Sequence, residues 1–323
     1  MAVGGARRLV VLRALGLGDL LTAVPALRAL ARAFPRHERI LAAPADLRPL
    51  VELIDADGAP AMHRLVAVGE LEPLPRDSAR PDVAVNLHGR GPQSHRLLLA
   101  VGARRCVWFA HRSVAESAGS PAWRPAEHEV TRWCRMLSES GLPADAGDLR
   151  LRAPNESALS SSVRGATVIH PGAASAARRW PPERFAEVAR GEDERGRRVI
   201  VTGSAGERAL AQAVAALAGL PRACVLAGRT DLAELARIVA VAGRVVCGDT
   251  GVGHLATAFG TPSVLLFGPT PPTEWGPPVD RGRHRALWAG GTGNPHGECT
   301  DPGLLSITPQ DVASALEELV TAA

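Results

Sequence analysis

Short apolar runs alternate with amphipathic stretches along the whole chain, which predicts strands that alternate with helices. The apolar runs predict strands over residues 8–14, 39–43, 64–68, 82–87 and 105–109, and again over 167–170, 198–202, 223–226, 244–247 and 263–267. The amphipathic stretches predict helices over residues 19–34, 45–54, 127–140, 182–190, 205–218, 231–242, 251–259 and 309–321. Pro25 lies inside the first of these helices and predicts a kink or a late start there.

The alternation stops once, over residues 154–165, where Asn, Ser and Pro replace the periodic pattern. We interpret this stretch as a linker between an N-terminal domain at 1–153 and a C-terminal domain at 166–323. Each half predicts a doubly wound, Rossmann-like α/β domain, and ligands bind such sheets at the carboxyl ends of the strands. The expected site is therefore a central cleft that the two domains face. The last predicted helix belongs to the C-terminal domain in the chain, and packing back on the N-terminal domain stays open as an alternative.

Composition removes several classes of function. The chain has 323 residues, and all 37 of its basic residues are arginine. The absence of lysine excludes P-loop nucleotidases, pyridoxal-phosphate enzymes and protein kinases. A net charge of +4 and 3% aromatic residues argue against a nucleic-acid partner. The five cysteines show no metal-ligand spacing, so we expect reduced thiols, no metal and a cytoplasmic protein.

No membrane segment is expected either. The apolar run at 8–14 is interrupted by GLGD at 16–19, which disfavours a signal peptide. No uninterrupted apolar run reaches the roughly 18 residues of a spanning helix.

The loop after the first predicted strand carries a carboxylate. Its sequence GLGDLL at 16–21 half-matches the dinucleotide fingerprint, but Leu21 replaces the third glycine and the next strand ends without an acid. A nicotinamide cofactor is therefore disfavoured. Two interpretations of Asp19 stay open: a helix N-cap, or a general base that faces the cleft.

Three loops of the second half carry groups suited to an anion. HPGAASAARRWP at 170–181 ends in paired guanidinium groups that suit a diphosphate, or that form a solvated pair on a turn. GDTGVGH at 248–254 lets backbone N–H groups and a helix N-terminus face an anion, or holds a capping Asp249 and a buried His254. GPT at 268–270 places Thr270 beside the same cleft, or forms only a turn.

These loops, in this order, resemble glycosyltransferase family 9, the ADP-heptose lipopolysaccharide heptosyltransferase group. The resemblance covers most of the chain and rests on GDLLTAVPAL at 18–27, DTGVGH at 249–254, FGPT at 267–270 and WGP at 275–277. It implies a GT-B fold and inverting transfer from a nucleotide-diphosphate sugar, which is a substrate and not a cofactor. It also implies that no metal is required.

The resemblance assigns roles to individual residues. Asp19 matches the family's proposed base. The residues that match the donor nucleotide and diphosphate site are Ser175, Arg178, Glu207, Asp249, Thr250, Gly251, His254 and Thr270. Arg178 stands where the family often has lysine, which keeps the charge and changes the geometry. The segment NPHGEC at 294–299 keeps only the second of two cysteines often seen in the family.

The acceptor side is predicted from the loop NLHGRGPQS at 86–94. We expect Gly18, His88, Arg90 and Gln93 to contact the acceptor or the donor sugar, with a polar loop of glycine turns as the alternative. The acceptor is a glycan or a secondary metabolite, and a lipid-linked acceptor would bring the protein to a membrane surface. Two other functions stay open: a nucleotide-sugar epimerase on the GT-B scaffold, and an inactive relative that only binds sugar nucleotides.

Overall fold

A computed structural model describes residues 7–278 and 282–319 of the chain. The chain divides after Arg152 into two compact units. Each unit contains a five-stranded sheet in which every neighbouring pair of strands is parallel. Each unit therefore has the α/β architecture that the alternating pattern predicts.

The first unit begins with the predicted strand and continues in βα order. Its elements are β1 (Arg8–Leu12), α1 (Leu17–Thr22), α2 (Val24–Ala33), β2 (Glu38–Ala43), α3 (Arg48–Val51), β3 (Asp55–Ala56), β4 (Ala59–Pro60), β5 (Arg64–Ala67), β6 (Val83–Asn86), α4 (Gln93–Ala100), β7 (Arg105–Val107) and α5 (Glu129–Glu139).

The sheet of the first unit has the strand order β5-β2-β1-β6-β7. In the central strand, Val10 lies opposite Ile40 on one side and Ala84 on the other, and all three side chains are buried. Covering helices explain why these strands are continuously apolar instead of alternating. The order reverses between β1 and β6, so the loops after these two strands flank the topological switch point.

The predicted helix at 19–34 is two helices. Pro25 lies in the first turn of α2, which begins at Val24, one residue after the end of α1 at Thr22. Proline lacks an N–H group and is tolerated in a first turn, so the chain restarts its helix there. The predicted helix at 45–54 is likewise shorter: it is a 3-10 turn at Ala45–Leu47 followed by α3, with Pro49 in the first turn.

The second unit repeats the alternation. Its elements are α6 (Ala158–Ser162), β8 (Thr167–His170), α7 (Pro182–Glu194), β9 (Val199–Val201), α8 (Arg208–Ala218), α9 (Leu232–Val241), β10 (Arg244–Gly248), α10 (Gly251–Phe259), β11 (Ser263–Phe267), α11 (Pro272–Trp275), β12 (His284–Trp288), α12 (Pro302–Ser306) and α13 (Pro309–Glu317).

The sheet of the second unit has the order β12-β11-β10-β8-β9 and reverses between β8 and β10. The strand predicted at 223–226 is wrong: residues Arg222–Cys224 form a 3-10 turn, and only Val225 pairs, through a single parallel bridge to Val201. That bridge marks the place of a third Rossmann strand, but the run is too short to form a ladder. The strand β12 was missed because its polar residues break the apolar run.

Two segments with special predictions fall in the second unit. The segment assigned to the linker contains α6, where the side chains and backbones of Ser157 and Ser160 form a capping box. The last helix, α13, packs against α7 and β11 of its own unit in the part that the structure describes. Among residues 7–278 and 282–319, none of the helices combines the length and apolar character that a membrane span requires.

Candidate active site

Asp19 lies at the switch point of the first unit, in the loop-to-helix turn after β1. The helix α1 begins at Leu17, its N-cap is Gly16, and no side chain caps it. Asp19 is therefore inside the first turn, and its interpretation as the N-cap is wrong. A carboxylate in the first turn still interacts favourably with the positive end of a helix.

The carboxylate of Asp19 rests on a buried guanidinium. The Nη2 atom of Arg13 lies 3.3 Å from Oδ1 of Asp19 and 3.2 Å from Oε1 of Glu129. Arg13 is fully buried, whereas the Asp19 side chain is 28% exposed. The arrangement keeps one carboxylate open to a ligand and the other two charges inside the protein.

Sequence reasoning missed Arg13 and Glu129. Arg13 ends an otherwise apolar buried run, and an arginine at that place is the signal that could have found it. Glu129 gave no local signal, because it reaches Arg13 only through the fold, from the first turn of α5. Glu129 is held there by Nε1 of Trp133 at 2.8 Å and by Arg132.

The environment of Asp19 raises the pKa of its carboxyl. Burial is the largest cause, the nearby Glu129 adds to it, and the positive charge of Arg13 opposes it. A raised pKa makes the carboxylate a better proton acceptor than an ordinary aspartate, as a general base requires.

The loop after β6 borders the same switch point. Asn86 is buried and shapes the loop: its Oδ1 accepts from the backbone N–H of His88 at 2.9 Å. Burial and the charge of Arg13 lower the pKa of His88, so its ring is neutral at physiological pH. Arg90 and Gln93 are exposed, and Gln93 begins α4.

Gly18 is the residue before Asp19 in the first turn of α1. The structure therefore brings Gly18, Asp19 and His88 to one edge of the sheet. Arg90 and Gln93 lie further along the loop that follows β6, in its exposed part.

The switch point of the second unit holds an ion pair. The Nη1 atom of Arg178, in the loop after β8, lies 3.7 Å from Oδ2 of Asp249 and donates to the Asp249 carbonyl at 3.4 Å. Burial raises the pKa of the Asp249 carboxyl to about 6, against the opposing effect of Arg178. Gly248 permits this approach, because a Cβ there would lie 3.0 Å from the carbonyl oxygen of Arg178.

The helix α10 begins at the same switch point. Thr250 is the N-cap residue, and the helix begins at Gly251 with Val252 and Gly253 in its first turn. Asp249 precedes the cap and makes no capping bond, so the interpretation of Asp249 as a cap is wrong. His254 is half-buried and its ring packs edge-on against Trp275, with the ring centroids 6.0 Å apart.

The remaining donor-side residues lie on neighbouring loops. The Ser175 hydroxyl donates to the carbonyl of Pro295 at 2.5 Å, so its hydrogen is already used within the protein. Glu207 follows β9, accepts from the backbone N–H of Ser204 at 2.7 Å, and packs directly against Gly172 after β8. Thr270 is half-buried in the turn after β11.

The part of the chain that the structure describes contains no cluster of three His, Cys, Asp or Glu side chains arranged to hold a metal ion. The segment 294–299 is mostly exposed, and Cys299 is a free thiol.

Comparison with known proteins identifies the family. The sequence model of glycosyltransferase family 9 (heptosyltransferase) matches residues 102–292, more than half of the chain. The chain belongs to glycosyltransferase family 9. The resemblance drawn from the sequence motifs is thereby confirmed, and the family's named activity is glycosyl transfer.

Curated relatives in family 9 include heptosyltransferases. The chain is 36% identical over 155 residues to lipopolysaccharide heptosyltransferase 1 of Pseudomonas aeruginosa, which covers 47% of this chain and 42% of that protein. It is 30% identical over 167 residues to lipopolysaccharide heptosyltransferase 2 of Escherichia coli, and this alignment covers 50% of this chain and 48% of that protein. The chain spans about half the length of the curated relatives it matches.

Solved structures share the fold over nearly the whole chain. The ADP-heptose lipopolysaccharide heptosyltransferase II of E. coli aligns with a TM-score of 0.74 at 23% identity, over 97% of this chain and 98% of that one. The family 9 glycosyl transferase of Veillonella parvula aligns with a TM-score of 0.80 at 20% identity, over 97% of both chains. The predicted GT-B fold class, with two Rossmann-like domains, is confirmed.

Proposed function

We propose that this protein is an inverting, metal-independent glycosyltransferase. It moves a heptose from an ADP-sugar to a hydroxyl of a glycan or a secondary metabolite, with Asp19 as the general base. One observation carries the proposal: a partly exposed carboxylate and a guanidinium occupy the switch points of the two sheets. The first switch point presents the carboxylate of Asp19, and the second presents Arg178 beside the first turn of α10.

The acceptor chemistry follows from the environment of Asp19. In the proposed step, the Asp19 carboxylate takes the proton of the acceptor hydroxyl while the oxygen forms a bond to the anomeric carbon. The bond from that carbon to the diphosphate breaks, and its electron pair stays on the phosphate oxygen. A single displacement of this kind inverts the anomeric configuration. The partly exposed carboxylate with its raised pKa suits the role of base.

The leaving group requires positive charge. A guanidinium at Arg178 and the backbone N–H groups at the start of α10, after the N-cap residue Thr250, supply donors for a diphosphate in this proposal. His254 adds an imidazole in the first turns of the same helix. In this proposal Glu207, on the loop after β9, accepts from the ribose, and Thr270 lies on the loop after β11.

The identity of the sugar nucleotide rests on relatives. Curated relatives are named heptosyltransferases, and the E. coli heptosyltransferase WaaC, a solved structure with ADP, aligns with a TM-score of 0.70 at 20% identity over 97% of this chain. Their lipopolysaccharide names favour a glycan acceptor, contacted by His88, Arg90 and Gln93. A lipid-linked glycan would place a cytoplasmic enzyme at the membrane surface.

A thermal-shift titration with ADP, UDP, GDP and dTDP, without added metal, tests the donor site. A nucleotide at about 100 times its dissociation constant stabilises a protein by about 2.7 kcal/mol, which is a few degrees for a chain of this size. We expect a selective rise with ADP. A rise with another base keeps the transferase and discards the ADP-sugar, and no rise with any of the four contradicts the donor site.

Product analysis then separates the alternatives. Incubation with ADP-heptose and an acceptor panel is expected to yield a glycosylated product and ADP. Conversion of the sugar nucleotide without any acceptor would indicate an epimerase. Nucleotide binding without turnover would indicate a relative that only binds.

A further inference from the structure

A buried charge network lies beneath Asp19, and its members were not predicted from the sequence. We propose that Glu129 is a positioning residue that acts through Arg13: it holds Arg13 in place and takes a share of its charge, which leaves Asp19 able to accept a proton. The inference rests on the proposed function, in which Asp19 is the base.

Arg13 is immobilised by partners on every nitrogen. Its Nε donates to the carbonyl of Asp19 at 2.9 Å and its Nη1 donates to the carbonyl of Leu87. Its Nη2 donates to Oδ1 of Asp19 at 3.3 Å, to Oγ1 of Thr22 at 3.2 Å and to Oε1 of Glu129 at 3.2 Å. One guanidinium therefore ties α1 to the loops on both sides of the switch point.

Glu129 closes the network from α5. It is 4% exposed, and each of its carboxylate oxygens has a partner. Oε1 accepts from Nε1 of Trp133 at 2.8 Å as well as from Arg13, and Oε2 accepts from Arg132. The guanidinium of Arg13 also lies 4.9 Å from the centre of the Trp133 ring. Arg13 consequently cannot turn fully toward Asp19.

Charge sharing has a chemical consequence for Asp19. A carboxylate that is the sole acidic partner of a guanidinium is stabilised in its charged form and becomes a weak base. Glu129 is a second carboxylate on the same guanidinium, and its negative charge opposes that stabilisation. The charged or titratable groups that face this network are Arg13, Glu129, Arg132 and, beside Arg13, the neutral His88.

Two substitutions are expected to act in opposite directions. In Glu129→Gln, the negative charge is lost and the pKa of Asp19 falls. In Arg13→Gln, the positive charge is lost and the pKa of Asp19 rises. A network that only supports the fold would produce the same response to both substitutions, so opposite shifts identify an electrostatic role.

The test is a titration of the Asp19 carboxyl by NMR in the full-length protein, with [¹³C]aspartate labelling and Asp19→Asn to assign the signal. Glu127→Gln is the matched control. Glu127 also lies near the start of α5 and is bound by an arginine, with its Oε1 2.7 Å from Nε of Arg135, but it does not touch Arg13. We expect a lower midpoint in Glu129→Gln, a higher one in Arg13→Gln and no change in the control.

An unchanged midpoint in Glu129→Gln, with the protein folded, overturns the proposal. Where Arg13→Gln does not fold, Arg13→Lys takes its place. Lysine keeps the positive charge and loses the forked geometry of the guanidinium, so we expect the Asp19 midpoint to stay below the value that burial without a cation would give. The proposal is also overturned if the Asp19 midpoint in Arg13→Lys is as high as that of a buried carboxyl without a cation beside it, and if adding Glu129→Gln to that variant does not change the midpoint.

Kinetics separate this inference from the proposed function. With a working acceptor, Glu129→Gln is expected to shift the acid limb of the kcat/KM profile to lower pH and to reduce the neutral-pH rate by about two- to tenfold, because the base is weaker. Full activity in Asp19→Asn contradicts the proposed base itself. Loss of activity in Asp19→Asn with an unmoved acid limb in Glu129→Gln contradicts the charge-sharing role alone.

Discussion

The two switch points are built from the same topology and use their charges differently. In the first unit a fully buried arginine lies under two carboxylates, and the exposed group is an acid. In the second unit the carboxylate of Asp249 is buried, and the more exposed partner is Arg178, whose side chain is 22% exposed against 9% for Asp249.

This inversion teaches what each site offers to a ligand. A partly exposed carboxylate that is paired with a buried cation is suited to accept a proton. A partly exposed guanidinium that is paired with a buried acid is suited to bind an anion. The helix that follows each loop supports this difference, since α10 begins with small residues whose N–H groups suit a phosphate and α1 carries Asp19 in its first turn.

The largest expected effect is the loss of the proton acceptor. Asp19→Asn keeps the size of the side chain and removes its basicity, so we expect transfer to fall by about 10²- to 10⁴-fold while ADP binding is unchanged. Initial rates and thermal-shift titrations measure the two. Asp55→Asn is the control, because Asp55 also pairs with a buried arginine of the same unit, 3.3 Å from Nη2 of Arg28. Equal losses in both variants would show that the loss is not specific to the carboxylate of the first switch point.

The next largest expected effect is the loss of the guanidinium proposed to bind the diphosphate. Arg178→Ala removes the guanidinium at the second switch point, and we expect ADP to bind about ten- to a hundredfold more weakly, as for a lost charge-assisted hydrogen bond. Isothermal titration calorimetry measures it. Arg179→Ala is the control, because the Nε of Arg179 donates to the carbonyl of Ala173 in its own loop. A larger loss in Arg179→Ala would transfer the diphosphate role to that residue.

The smallest effect is on stability and depends on pH. The folded pKa of Asp249, about 6, lies above its ordinary value of 3.8, so the ionised carboxylate destabilises the folded state above pH 6. This destabilisation shrinks as the pH falls through 6 and is gone below about 4. Asp249→Asn is therefore expected to gain about 1–2 kcal/mol near pH 7.5, less than the full shift implies because Arg178 loses its partner.

Urea unfolding of wild type and Asp249→Asn at pH 7.5, 5 and 4 measures that gain. The two curves are expected to converge at the lowest pH. A variant that is less stable at pH 7.5 would show that the ion pair with Arg178 outweighs the burial of Asp249.

Much of the fold follows from local pattern. Nine of the ten predicted strands correspond to strands of the two sheets, because fully covered parallel strands are apolar along their whole length. The predicted strand at 223–226 was wrong, because that apolar run is short and forms a 3-10 turn. The predicted helix at 45–54 formed only in part, as a 3-10 turn followed by a short helix with Pro49 in its first turn. Helix starts were harder to place than the elements themselves, as Asp19 and Asp249 show.

The candidate site was predictable only in part. Asp19, Arg178 and the turn at 249–254 were found because they lie in loops directly after apolar strands, and the carboxyl ends of parallel strands meet at one edge. Arg13 and Glu129 were missed, although they hold Asp19. They are 116 residues apart in the chain, and no short-range pattern records a pair at that separation.

The sequence by itself determined the family, the alternation of strands and helices, and the loops in which chemistry is expected, because each of these depends on residues that are close together in the chain. Only the tertiary structure decided which charges share a buried guanidinium and which acid remains exposed. Those outcomes depend on burial and on distances of about 3 Å between residues on different elements, such as the 3.2 Å between Nη2 of Arg13 and Oε1 of Glu129.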